Sequence, residues 1–326
     1  MATLTARAES WPIAGRFIIS RGAKTEARVV AVEIADGAAK GRGECLPYPR
    51  YDETIEGTLA AIERLRPRIE AGMGREELQA ALKPCAARNA LDCALWDLEA
   101  KRTGTPVWKL AGLPEPRTIV TCYTISLDEP EAMRAQAARS LDRPILKVKL
   151  NGERVIERLR AVRAGHPGAR LVADANEAWS VDLLRALATD LAGLGVEMIE
   201  QPLPAGRDEG LAGLDYPIPL CADESFHDRA TIGALKGRYR VVNIKLDKTG
   251  GLTEAIAVAR DARAAGFELM VGCMVATSLA MAPAALLAPL ARVVDLDGPL
   301  ILAKDRVPGI RYEGAVMGPA PRELWG

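Results

Sequence analysis

The feature that most constrains this fold is a repeated pair: a short apolar run, then a charge at its end. Eight apolar runs follow one another, six of them with charge at one end: Ile119–Ile125, Ile145–Leu150, Arg170–Asp174, Val196–Glu200, Pro219–Asp223, Val241–Leu246, Phe267–Gly272 and Arg292–Asp295, the first and seventh being the exceptions. They recur roughly every 20–28 residues, separated by helical segments rich in Ala, Leu and Arg. Strands alternating with helices build a parallel sheet. Eight of them predict a closed α/β barrel of the TIM type, with its chemistry at the C-terminal strand ends. The alternative is an open doubly wound sheet. That fold usually carries a Gly-rich phosphate loop after its first strand, and none follows Ile119–Ile125.

The first part of the chain reads differently. The runs Phe17–Ile19 and Arg28–Ile34 predict strands, broken at Asp36-Gly37 and at Gly41–Gly43. Thr54–Glu70, Arg75–Leu82 and Ala86–Lys101 have helical spacing, the last expected to serve packing with Trp96 in the core. Leu113-Pro114-Glu115-Pro116 then breaks the pattern. The expected division is an α+β domain over residues 1–114 and a barrel over 115–300.

Composition removes several classes of function. Lys+Arg and Asp+Glu are equal at 43 each, so no net charge draws the chain to nucleic acid or an anionic membrane. No apolar run is long enough to span a bilayer. The N-terminus lacks the basic-then-apolar order of a signal peptide. Six cysteines without a Cys-x-x-Cys pair predict reduced thiols, buried as small hydrophobes, in a cytoplasmic protein. Two histidines, His166 and His227, cannot build a His-rich zinc site. Any metal must be held by carboxylates, which points to a hard cation such as Mg²⁺.

The strand ends supply those carboxylates. Asp174, Glu200 and Asp223 stand on three consecutive strands, where neighbouring strands lie about 4.8 Å apart. Three like charges at that spacing repel one another unless a cation sits among them. Taken singly, Asp174 or Asp223 would be an ordinary helix N-cap and Lys147-x-Lys149 a solvated edge. Their shared phase along the repeat is what argues for a site. Lys147 and Lys149 fall on one face of the second strand, and Lys245 on the sixth, across the ring. A substrate carboxylate on the metal would place its α-carbon between two amines. One lysine takes the α-proton, a metal-stabilised enediolate forms, and the facing ammonium returns a proton to the other side. The product is inverted at that carbon.

These residues carry a family likeness. Lys147-x-Lys149, Asp174-x-Asn176, Glu200-Gln-Pro, Ala222-Asp223-Glu224-Ser225 and Asn243-Ile-Lys245 resemble the enolase superfamily, muconate-lactonising subgroup. Gly43-Glu44-Cys45 and Ala90–Leu98 resemble its capping domain. Asp295-x-Asp297, with Lys245–Leu252 and Gly272-Cys-Met, resembles the dipeptide epimerases acting on L-Ala-D/L-Glu. The resemblance implies a modified TIM barrel, (β/α)7β, whose α+β cap is completed by a segment of about 301–326. It implies Mg²⁺ on Asp174, Glu200 and Asp223, with Lys149 and Lys245 as acid/base pair. Lys147 would help bind the substrate carboxylate, and Asn176 and Glu224 would orient the groups around it. Asp295 and Asp297 would hold the substrate ammonium, and Thr124 would face the substrate from the first strand. For a glutamyl side chain, Arg21 is the candidate cation, with Arg16 and Lys24 as alternatives.

The expected function is therefore Mg²⁺-dependent epimerisation of L-Ala-D-Glu in murein peptide turnover. An N-acylamino-acid racemase or an o-succinylbenzoate synthase-like lyase is the alternative on the same scaffold. A catalytically silent ligand-binding protein is the alternative of another class. The expected partner is a small dipeptide, with neither nucleic acid nor membrane, and assembly into a homo-oligomer stays open.

Overall fold

The computed structural model describes residues 2–326. The chain opens with three antiparallel strands, β1 (Thr3–Ile19), β2 (Gly22–Asp36) and β3 (Ala39–Cys45), paired in that order. Three helices follow: α1 (Ile55–Glu70), α2 (Arg75–Ala81) and α3 (Ala86–Thr103). Thr54 caps α1, its hydroxyl accepting from Gly57 N at 3.0 Å. Two expectations about the strands are corrected. Strand β1 begins at Thr3, well before the run at Phe17, because most of its residues are exposed or half-buried and carry little apolar signal. Gly41 and Gly43 do not break the chain but lie inside β3. A Cβ at Gly41 would sit 2.1 Å from Ala94 O, and one at Gly43 2.0 Å from Ala90 O. The glycines let α3 lie against the sheet backbone.

The expected run Ile119–Ile125 splits in two. Ile119–Val120 forms β4, and Tyr123–Ile125 forms β5, the first barrel strand. The other barrel strands are β6 (Ile145–Lys149), β7 (Arg170–Asp174), β8 (Val196–Glu200), β9 (Leu220–Ala222), β10 (Val241–Ile244), β11 (Glu268–Gly272) and β12 (Val293–Asp295). They form one eight-stranded sheet in sequence order. Cys122 N donates to Val294 O at 2.8 Å and brings the first strand back to the last. After β12 a C-terminal hairpin, β13 (Tyr312–Glu313) and β14 (Val316–Met317), pairs with β4. Beyond it, Trp325 donates to Cys93 O at 3.0 Å, fastening the chain end to α3.

The barrel floor decides where charge can stand. Cys122, Ile145, Val172, Met198, Cys221, Val241, Met270 and Val293 form a separate buried cluster, one residue from each strand or its leading end. Fully burying an aliphatic side chain of this size contributes about 1.5–3 kcal/mol. Strand side chains alternate with period two. Two residues past the floor, the inward positions are Thr124, Lys147, Asp174, Glu200, Asp223, Asn243, Gly272 and Asp295. Lys149, Lys245 and Asp297 are the next inward step. The apolar plug thus forces the polar positions to the opposite end. Among the described residues no helix is long and apolar enough to cross a membrane.

Candidate active site

Lys147 stands at the centre of this polar layer and is 1 % exposed. Its Nζ lies 2.6 Å from Asp295 Oδ2, 2.8 Å from Glu200 Oε2 and 3.3 Å from Asp174 Oδ2. Lys149 Nζ is 2.6 Å from Asp174 Oδ2, and Lys245 Nζ is 2.6 Å from Asp223 Oδ2. Asn243 Nδ2 donates to Glu200 Oε1 at 2.8 Å. All these side chains are buried, so each charge depends on its neighbours. Burial disfavours the Lys147 ammonium, but Asp295, Glu200 and Asp174 outweigh it and hold its pKa well above the usual lysine value. Burial and the charge of Asp174 push the Glu200 carboxyl up, to about 7. Burial also works against ionised Asp174, yet Lys149 and Lys147 keep it below the usual carboxylate range.

The loops beyond the strands are held in uncommon conformations. Asn176, Glu177 and Gln201 have φ of 42°, 70° and 36°, in the left-handed region that non-glycine residues rarely adopt. Hydrogen bonds secure them. Asn176 N donates to Asp174 Oδ1 at 3.0 Å, fixing that carboxylate. Asn176 O accepts from Ser20 Oγ at 3.0 Å and from Arg21 at 3.1 Å, which ties the β1–β2 turn to the barrel. Gln201 Oε1 accepts from Asp223 N at 2.8 Å and Ser225 N at 3.0 Å.

Between the barrel strand ends and the first 51 residues of the chain lies a cavity of about 70 Å³. Lys149, Lys245, Asp223, Asn176 and Glu224 line it from the barrel, and Phe17, Arg21, Lys24, Tyr48 and Tyr51 from the first 51 residues. Asp295, Asp297 and Thr124 lie outside that lining. Asp295 is turned to Lys147, and Asp297 Oδ2 accepts from Thr124 N at 2.7 Å. Glu224 pairs with Arg21 at 2.8 Å, and Lys245 is oriented by Asp223. Arg16 is exposed, away from the lining.

Two family models match the chain: the mandelate racemase/muconate lactonizing enzyme N-terminal domain over residues 1–112, and the enolase C-terminal domain-like family over 132–304. The chain is 49% identical to an L-Ala-D/L-Glu epimerase of Escherichia coli (strain K12), over 96% of this chain and 98% of that one. This chain belongs to the enolase superfamily. An N-acetyl-D-glutamate racemase of Pseudoalteromonas sp is 45% identical over 91% of this chain and 95% of its own. Among solved structures, an enolase family member from Agrobacterium tumefaciens, with bound sodium and L-Ala-L-Glu, superposes with TM-score 0.98. It is 51% identical and covers 100% of both chains. A dipeptide epimerase from Enterococcus faecalis V583, complexed with Mg and L-Leu-L-Tyr, has TM-score 0.90 at 29% identity, covering 98% of this chain and 96% of that one.

The donor set of this enolase-superfamily site suits a hard cation. Asp174, Glu200 and Asp223 are buried oxygen donors on adjacent strand ends, and Glu200 Oε2 meets only the Lys147 ammonium, at 2.8 Å. Their oxygens do not converge on one point: among the described residues no group of three His, Cys, Asp or Glu side chains is spaced as a metal cage. The lysine ammonium groups take those oxygens instead and offset the crowding.

Several site residues escaped the sequence reading. Lys248 Nζ lies 2.6 Å from Asp223 Oδ1, so that carboxylate is gripped on both oxygens. Its signal was present in Lys245-Leu-Asp-Lys, but helical spacing past a strand end does not say which way a lysine turns. Tyr48 and Tyr51, with ring centroids 5.6 Å apart, form part of the roof. Cys273 and Cys85 are only partly buried, unlike the other four cysteines, and Cys273 reaches the cavity.

Proposed function

We propose that this chain is a Mg²⁺-dependent dipeptide epimerase that interconverts L-Ala-D-Glu and L-Ala-L-Glu. The observation that carries the reading is that Lys149 and Lys245 line one cavity from β6 and from the end of β10. Those strands are four places apart in a ring of eight, so the amines meet a bound α-carbon from opposite sides. Asp174, Glu200 and Asp223 would hold the metal between them. Bound magnesium would take up the charge that builds on the substrate carboxylate as the α-proton leaves. Neutral Lys149 removes the proton of one epimer while the Lys245 ammonium delivers one to the other face; the reverse reaction exchanges their roles. The relative named for L-Ala-D/L-Glu, and the 0.98 TM-score neighbour with L-Ala-L-Glu bound, support this substrate.

Arg21 and Lys24 are the cations proposed to face the glutamyl side chain. Arg21 is already paired with Glu224 and Glu177. Lys24 lies 4.6 Å from the Tyr48 ring centroid with no carboxylate partner among the described residues. Asp295 and Asp297 are proposed to select a free ammonium, Lys147 to help bind the substrate carboxylate, and Thr124 to complete that wall. The proposed units are a cap of residues 1–114 with about 301–326, and a barrel of 115–300. Six free thiols fit a reducing cytoplasm, where murein dipeptides would be consumed.

A second reading, racemisation of N-acylated glutamate, is favoured by the relative of that name and by the engagement of Asp295 with Lys147. NMR-detected α-deuterium exchange tests both. The dipeptide reading expects Lys149→Ala and Lys245→Ala each to abolish epimerisation while sparing exchange of one epimer. In the family the Lys149 position serves the (R) epimer and the Lys245 position the (S) epimer. Epimerisation at parental rate by either variant would defeat the two-lysine reading. Faster turnover of N-acetyl-D-glutamate than of L-Ala-D-Glu would favour the second.

A further inference from the structure

Helix α3 packs on the β1–β3 sheet, yet its buried polar face points at the barrel. Arg88, Asn89 and Asp92 are 4 %, 2 % and 0 % exposed. They all hold one stretch of chain, 247–253, which begins two residues after Lys245. Arg88 has no carboxylate partner among the described residues. Its guanidinium donates instead to three carbonyls: Thr249 O at 2.7 Å, Gly250 O at 2.9 Å and Leu82 O at 3.0 Å. Asn89 Nδ2 donates to Asp247 Oδ1 at 2.8 Å. Asp92 accepts from Thr253 N at 2.9 Å and from its hydroxyl at 2.6 Å.

The stretch so held anchors the lysine. Leu246–Thr249 is a single helical turn, and Lys245 O accepts its first hydrogen bonds, from Lys248 N and Thr249 N at 3.0 Å. One turn has little stability of its own, and its last carbonyls need donors. Arg88 supplies them, and its positive charge suits that end of the turn. The contact is as close as glycine permits. A Cβ on Gly250 would lie 2.6 Å from Arg88 Nε, and one on Gly251 2.5 Å from Asp92 Cβ. The chain after Lys149 is held differently, from within the barrel: Trp179 donates to Asn151 O at 2.9 Å and Arg158 to Asn151 Oδ1 at 2.7 Å.

We propose that the Arg88–Asn89–Asp92 face of α3 is the positioning element for Lys245. It sets proton transfer on one face of the α-carbon and leaves the Lys149 face to the barrel. This rests on the two-lysine reading above. A base displaced by an ångström loses much of its rate, so the loss should fall on one epimer.

The test measures α-deuterium exchange into L-Ala-D-Glu and L-Ala-L-Glu with magnesium. It compares the parent, Lys149→Ala, Lys245→Ala, Arg88→Ala, Arg88→Lys and Asn89→Ala. The two lysine variants assign an epimer to each base. Arg88→Ala should then lose about tenfold or more of the Lys245-dependent exchange and less than about twofold of the other. Arg88→Lys, which keeps the charge but not the planar fork, should fall between. If Arg88→Ala does not fold by circular dichroism, Arg88→Lys and Asn89→Ala carry the same comparison. Equal loss on both epimers, or no loss, in folded variants overturns the positioning role. A parent that exchanges neither epimer overturns the two-lysine reading itself. Selective lysine variants beside unselective Arg88 variants overturn only this inference.

Discussion

Lys147 Nζ sits 2.6 Å from Asp295 Oδ2 and so joins β6 to β12 inside the barrel. Asp295 thereby holds a lysine before it meets any substrate, while its Oδ1 has no hydrogen-bond partner. Breaking a buried, hydrogen-bonded charge pair costs roughly 2–5 kcal/mol. Asp295→Asn and Asp297→Asn should each lower kcat/KM for L-Ala-D-Glu at least about tenfold, with a smaller loss on N-acetyl-D-glutamate. Kinetics on both substrates check this. Equal losses would show that the two aspartates serve Lys147 and the fold, not the substrate ammonium.

Asp223 carries Lys245 on one oxygen and Lys248 on the other. Asp223→Asn keeps the shape and removes the charge. Magnesium affinity measured by titration calorimetry should fall about tenfold or more, with an unchanged circular dichroism spectrum. Undiminished affinity would remove Asp223 from the proposed ligand set.

The side-chain cation is separable by KM. Lys24→Ala should raise KM for L-Ala-D-Glu about tenfold while leaving L-Ala-D-Ala little changed, since a hydrogen bond to a charged group contributes about 1.5–3 kcal/mol. Arg21→Ala also frees Glu224 and Glu177, so it should lower kcat as well. If neither variant distinguishes the two dipeptides, the side-chain carboxylate is read elsewhere.

Asp247 is buried beneath α3, where its Oδ1 accepts from Leu46 N and Asn89. Burial pushes its carboxyl up to about 7. An unfolded aspartate titrates near about 3.9. Between those values the folded state binds more protons than the unfolded state, so this residue's contribution to stability falls as pH rises to about 7 and then levels off. Asp247→Asn can keep both accepted hydrogen bonds without the titration. Thermal melts from pH 4 to 8 should show the variant gaining on the parent until about pH 7. A constant difference across the range would contradict the shift.

The strand runs and their charged ends were legible because both obey local rules. Period-two alternation and burial of β-branched residues act within a few positions, so Ile145–Lys149, Arg170–Asp174 and Val196–Glu200 could be read directly from the chain. The same locality concealed β1 over Thr3–Trp11, whose exposed side chains carry no pattern, and turned Gly41 and Gly43 into an expected break. Those glycines have meaning only once α3 lies on them.

What each strand end could do was thus set by residue type and phase: carboxylates at three consecutive tips, and lysines at the second and sixth. Which charge meets which was decided by the closed ring. Lys147 reaches Asp295 across 148 positions of sequence, and Arg88 reaches Gly250 across 162. Alternation fixes which way a side chain points but not what stands opposite. The partner depends on how eight strands close and on where a helix from another layer comes down.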